Sequence, residues 1–402
     1  MNLVDQVQLK LREEFSLLSN QAIVYLDSAA TTLKPLSVLE AKMQFYRDEY
    51  ATVNRSLYPR GQKATKNYLH TRTLIAKKIC LTDERGIIFT RGATDSLNQA
   101  AQFLTQLIPQ GAEVLISPLE HHANYLPFLA LQKKGILKVV HLPILEDGEV
   151  DWDRLEKMDT SRVKALSIAH VSNVTGVEQD LKKLGNLCHN QGWIFLVDAA
   201  QSISTKKIDF DLMKIDFMAF SAHKMYGPTG VGALCIAPRF VDILEPLFYG
   251  GDMIADIDEE MVYQRPPFKF EAGTPPIGEI IAWKSALEWL EKEEVLLATS
   301  LMGDLQKSYR DRLSMIPNVE LISAHHSTTM TTMVLKKGHP MDMALLLGQK
   351  GIEVRSGSLC ALPALKFFKA NSFLRVSLGV YNTFDEVNRF MDQFESTLKK
   401  IG

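Results

Sequence analysis

The chain has 402 residues, 46% hydrophobic and 23% charged, with 45 lysines and arginines against 47 aspartates and glutamates. That composition excludes global disorder, and a formal charge of −2 excludes a general electrostatic hold on nucleic acid or on an anionic membrane. Four scattered cysteines, Cys80, Cys188, Cys235 and Cys360, form no CxxC pair and point to a reduced, cytoplasmic chain whose cysteines are mostly small buried hydrophobes.

At roughly 150 residues per domain the length leaves room for two or three units. Residues 1–14 mix charge with apolar residues at helical spacing and lack the apolar core of a secretory signal. No apolar run reaches the roughly 18 residues of a membrane span. A strand at 24–27 leads into a turn of small residues at 28–32. Strands are predicted at 86–90, 114–117, 165–169, 194–198, 217–220 and 232–236, and helices at 93–104, 124–133 and 181–190. Short continuous apolar strands alternating with helices predict an α/β fold with a mainly parallel, seven-stranded sheet covered on both faces. Ligands are then expected at the carboxyl ends of the strands. Residues 249–274, with Gly250-Gly251 and Pro266-Pro267, break the alternation and read as an extended excursion. A long helix at 278–297 follows, then a helix from about 300. Strands at 319–322, 331–335 and 352–355, a helix at 341–349 and a closing helix at 383–400 suggest a smaller α+β domain. The expected division is 1–24 packing with the small domain, 25–297 as the large domain, and 298–402 as the small domain.

The chemistry-bearing residues fall at predicted strand ends. Ser221-Ala222-His223-Lys224 follows an apolar strand and precedes Gly227 and Gly230. A lysine so placed can form a Schiff base with an aldehyde cofactor, or it can be a solvated loop lysine. Asp198 ends a buried strand, where a carboxylate is costly unless it pairs. It can hold a proton on the ring nitrogen of pyridoxal phosphate (PLP), or simply cap a helix. Gln201 follows within reach of the same cofactor's phenolic oxygen. Arg91-Gly92-Ala93-Thr94 sits at a strand-to-helix turn, where Ala93 and Thr94 can offer N–H groups and a hydroxyl to phosphate. In Glu120-His121-His122 an imidazole can stack on a ring and move protons, whereas two adjacent histidines are poorly placed to share a metal ion. No HExxH spacing occurs and no metal is expected. Asn173 stands at another strand end. Cys360 lies in a loop, and a loop cysteine can deliver a thiolate. Arg375, inside an apolar strand, is either a carboxylate receptor or half of a structural ion pair.

Seven segments in this order resemble the class V, fold-type I PLP enzymes, and within them the group II cysteine desulfurases and selenocysteine lyases. They are Tyr25-Leu26-Asp27-Ser28-Ala29-Ala30-Thr31, Arg91-Gly92-Ala93-Thr94, Glu120-His121-His122-Ala123-Asn124, Val171-Ser172-Asn173-Val174, Val197-Asp198-Ala199-Ala200-Gln201, the Lys224 segment, and Glu271-Ala272-Gly273-Thr274-Pro275. The resemblance implies that Lys224 carries PLP, Asp198 pairs its ring nitrogen, Gln201 meets its phenolic oxygen and His121 stacks on it. It implies a phosphate site of Ala93, Thr94, Ser221 and His223, joined by Thr274 from the second subunit of a homodimer. Asn173 and Arg375 would hold the carboxylate of L-cysteine beside Ala29 and Ala30. Cys360 would accept sulfur and pass it to an acceptor protein. Three departures stand out. Ser358-Leu359 replace histidines that many relatives carry before the cysteine. Val53-Asn54-Arg55 stands where relatives often read Val-His-Arg, and the RGTT turn is RGAT. A selenocysteine lyase, a carbon–sulfur lyase that does not need Cys360, and a catalytically weak binding partner in sulfur trafficking are the alternatives.

Overall fold

Short apolar runs become strands because they can be buried on both faces only inside a covered sheet. The computed structural model describes residues 3–258, 260–323, 327 and 329–401. After a short strand β1 (Val24–Tyr25), seven strands build the large sheet. They are β2 (Ile87–Thr90), β3 (Glu113–Ile116), β4 (Lys138–His141), β5 (Val163–Ala169), β6 (Ile194–Asp198), β7 (Phe217–Ser221) and β8 (Gly232–Ile236). Their order is β2-β8-β7-β6-β5-β3-β4. Only β8 runs against its neighbours, β2 and β7. The fold is therefore α/β with a mostly parallel sheet, and the carboxyl ends of β2, β3, β5, β6 and β7 share one rim.

β4 was not anticipated. It is a half-exposed edge strand, and Lys138 on it is held 2.9 Å from Glu113 of β3. A charge on an edge strand blunts pairing with another chain and also hides the apolar signal. The helix Pro59–Ile79 escaped notice for a similar reason. Its buried face includes Gly61, Thr71 and Arg72, so no clean apolar stripe marks it.

Helix Ile277–Leu290 is buried nearly all round, with Trp283 and Trp289 on it. The single helix expected over 278–297 is in fact two. The first closes at Glu291, Lys292 is extended, and a second helix, Glu293–Ser314, starts with Glu293 and Glu294 in its first turn. Acidic residues favour a helix amino terminus, so they restart the helix rather than continue it. The excursion over 249–274 contains a hairpin, β9 (Ile254–Ile257) with β10 (Met261–Tyr263).

A second sheet holds β11 (Val319–Leu321) and β12 (Met330–Leu335). After β13 (Ile352–Glu353), which pairs in parallel with β1 instead, it is completed by β14 (Arg355–Gly357) and β15 (Phe373–Ser377), in the order β11-β12-β15-β14. The one strand expected at 352–355 thus feeds two sheets. The amino-terminal helix Leu3–Arg12 is tied to the closing helix Phe384–Ile401. Arg12 donates to Glu386 Oε1 at 2.6 Å and to Tyr381 O at 3.1 Å.

Candidate active site

One cavity of about 310 Å³ lies where the rim of the large sheet meets the loop after β14. Its wall includes Ala29, Ala30, Ala93, Thr94, His121, Asn173, Asp198, Gln201, Ser221, His223, Lys224, Cys360 and Arg375. Thirteen of the fourteen residues singled out in the sequence therefore face one space. Thr274 does not. It is exposed and lines a separate depression with Phe248 and Tyr249.

The floor comes from neighbouring strands. Asp198 ends β6 beside Ala169 of β5 and Ala219 of β7. One of its oxygens accepts from Ala200 N–H at 2.9 Å, and the other has no partner among the described residues. Burial pushes this carboxyl above the usual carboxylate range, while the Ala200 N–H and the charge of Lys224 pull it down. Lys224 is carried just past β7 in a short 3₁₀ turn, and its amine makes no hydrogen bond to the described residues. Burial lowers it to about 8, with Arg375 pressing the same way against Asp198, Cys360 and Asp27. At pH 7 roughly a tenth of this amine is then unprotonated and nucleophilic, far more than for an exposed lysine.

At one end of the cavity, helix Ala93–Leu107 begins directly after β2, and the Ala93 N–H donates to Ser221 Oγ at 2.6 Å. Two glycines make this junction possible. Gly92 adopts φ +143°, and a Cβ on Gly232 would fall 2.6 Å from the Gly92 Cα. His223 Nδ1 sits 3.1 Å from Thr31 Oγ1, and burial with Lys224 and Lys34 drops this ring to about 4. His121 caps the next helix, its Nδ1 accepting from Ala123 N–H at 3.1 Å. Burial with Lys224, His122 and Arg375 lowers it to about 4. Both imidazoles are therefore neutral at neutral pH.

At the other end Arg375, on β15, is buried. Its Nη1 donates to Asn173 O at 2.9 Å and its Nη2 lies 3.4 Å from Asp27, while its Nε has no partner. Asn173 Nδ2 donates to Leu359 O at 2.8 Å. Gln201 spends one N–H on Ala29 O at 2.8 Å. Cys360 is exposed on the cavity wall, within electrostatic reach of Lys224, Arg355 and Arg375. The chain's other cysteines are free. Cys188 and Cys235 are buried, but Cys80 is exposed in a left-handed position that closes helix Pro59–Ile79, so it is not the core residue expected.

The buried carboxyl of Asp198, the amine of Lys224, hydroxyls and N–H groups at a helix start, and a guanidinium with an unpartnered Nε form a polar set that suits a small zwitterion and a ring bearing an anionic substituent. A family model for class-V aminotransferases matches residues 24–390. The chain belongs to that family. A probable cysteine desulfurase of Chlamydia muridarum is 34% identical, covering 97% of this chain and 98% of its own. Solved structures are similar as well. The cysteine desulfurase CsdA of Escherichia coli has a TM-score of 0.91 at 34% identity, covering 98% and 99% of the two chains. An apo cysteine desulfurase of Thermococcus onnurineus reaches 0.92 at 32%, covering 97% and 98%.

In this class-V chain, sequence reasoning missed three polar groups. Arg355 lines the cavity, and its Nη2 sits 2.5 Å from Asp27 Oδ2. Asp27 thus binds two guanidiniums. The signal was an acid directly after a buried strand, hidden among small residues. Glu120, fully buried, accepts from Asn124 Nδ2 at 2.7 Å and Ala169 N–H at 2.9 Å, and burial raises it to about 8. It fixes the turn that carries His121.

Proposed function

We propose that this chain is a PLP-dependent cysteine desulfurase that works as a cytoplasmic homodimer. It would convert L-cysteine to L-alanine and hold the sulfur as a persulfide on Cys360 for an acceptor protein. The observation that carries this reading is the convergence of Lys224, Asp198 and Cys360 on one cavity. The names of its relatives support the same activity.

The donor set fits PLP. The unpartnered Asp198 oxygen and the free Lys224 amine match a ring nitrogen and an aldehyde. Ala93, Thr94, Ser221 and His223 would hold the phosphate with Thr274 of the partner subunit, Gln201 the phenolic oxygen, and His121 the ring face. Bound there, PLP supplies an electron sink for the charge left when the substrate Cα loses its proton. Arg375 pairs the substrate carboxylate, supported by Asn173 beside Ala29 and Ala30. Lys224 Nζ takes the Cα proton and returns it. Asp198 keeps the ring nitrogen protonated. The Cys360 sulfur attacks the sulfur of the substrate. An S–S bond forms and the carbon–sulfur bond breaks. The electron pair stays on carbon, which takes up a proton to become alanine. Thiol plus cysteine gives persulfide plus alanine, with no outside oxidant.

The test is turnover of L-cysteine by the PLP-loaded protein. Stoichiometric L-alanine that disappears in Cys360→Ala supports the reading. Sulfide release that survives in Cys360→Ala makes the chain a carbon–sulfur lyase instead.

A further inference from the structure

The loop that carries Cys360 has one backbone anchor of its own, a turn in which Ala361 N–H donates to Ser358 O at 3.0 Å. Ser358 and Leu359 offer no imidazole, and both Leu359 and Cys360 adopt left-handed backbone, at φ 53° and 54°. Two consecutive non-glycine residues there are strained, and such a conformation persists only when its surroundings impose it. Beyond that turn, two residues of the large-sheet rim hold the loop from outside. Asn173 Nδ2 donates to Leu359 O at 2.8 Å. His122 makes two contacts that bracket the cysteine. Its backbone N–H donates to Cys360 O at 2.7 Å, and its Nε2 accepts from the Leu362 N–H at 3.0 Å. To accept there, His122 must be the neutral tautomer with its proton on Nδ1. Its ring and that of His121 are 6.4 Å apart and tilted by 49°. The adjacent histidines therefore serve different neighbours: His121 faces the cavity and His122 faces the loop.

We infer that His122 is a positioning residue for Cys360, clamping residues 360–362 so that the thiol stays against the cavity. The inference rests on the desulfurase reading for what Cys360 does, but the clamp itself is a property of this chain's own backbone and imidazole. The side-chain half of the clamp is separable from the backbone half. His122→Leu removes the acceptor and keeps an apolar body. His122→Gln keeps an amide oxygen that can accept from Leu362.

Three readouts test it. In cofactor-free protein, amide hydrogen exchange at Leu362 should quicken about tenfold in His122→Leu, as loss of one hydrogen bond allows. In PLP-loaded protein, persulfide formation on Cys360 from L-cysteine should fall about 10- to 100-fold, since misplacing a reacting atom by about 1 Å costs that much. Exchange of the Cα proton of L-alanine into deuterated water should stay within about twofold, because that step precedes any need for Cys360. His122→Gln should recover persulfide formation to within about threefold of wild type. Wild-type exchange at Leu362 and wild-type persulfide formation in His122→Leu would overturn the clamp. So would an equal loss of alanine exchange and persulfide formation, or a glutamine variant no better than leucine. If the wild-type protein exchanges alanine but forms no persulfide, the desulfurase reading fails instead, and exchange at Leu362 still decides the clamp.

Discussion

Lys224 shows how burial alone prepares a residue for chemistry. An ammonium loses hydration when buried, and the nearby Arg375 adds repulsion, so its amine is freed at about 8 rather than 10.5. The sign follows directly. A lowered lysine is neutral above its shifted value, so capture of PLP by cofactor-free protein should accelerate up to about pH 8 and then level off. Stopped-flow absorbance of the Schiff-base band measures this. A rate that keeps climbing toward pH 10.5, as for an exposed lysine, would contradict the burial argument. At this scale the sequence was informative because strand ends put reactive side chains on one rim. Asp198, Ser221 and Lys224 could be read from their apolar strands. Arg355 and Asp27 could not, because their pairing spans 328 residues of chain and leaves no local pattern. His122 was set aside as half of an ill-placed metal pair, since its partner is the backbone of a distant loop.

Among the elements, the segment after the β9–β10 hairpin is pinned by one buried carboxylate. Glu271 accepts from Arg72 at 2.9 and 3.0 Å, from Tyr68 Oη at 2.8 Å and from the Phe89 N–H of β2 at 2.8 Å. Arg72 is 2% exposed and also donates to Ile87 O. Glu271→Ala would leave this guanidinium buried without its counter-charge. Breaking such a pair costs about 3–5 kcal/mol, read as a lower urea midpoint for the cofactor-free protein. A loss under about 1 kcal/mol would mean that water or another acceptor replaces the carboxylate. The buried Arg72 also explains why helix Pro59–Ile79 was illegible: a core face that includes an arginine, a threonine and a glycine has no apolar period. The break at Glu291 was hidden for the opposite reason. Apolar spacing continues across it, and the acidic start of the next helix is the only local mark.

For the molecule as a whole, the parallel sheet was legible because doubly covered strands are continuous apolar runs, whereas the edge strand β4 was not. The position of Thr274 outside the cavity, in a depression with the exposed Phe248 and Tyr249, is what a site completed by a second copy requires. Arg55 pairs with Asp252 at 3.1 Å, which ties the segment that carries the exposed Leu57 to the stretch just after Tyr249. Sedimentation should give twice the mass of one chain, and Tyr249→Asp should shift the protein toward monomer and weaken PLP retention. A monomer that retains PLP as tightly would remove Thr274 from the phosphate site. The most direct test of the central claim is mass spectrometry of the PLP-loaded protein after incubation with L-cysteine. The expected result is a peptide containing Cys360 that is one sulfur heavier, by about 32 Da, and returns to its original mass on reduction. Alanine formation with no added mass on Cys360 would contradict it.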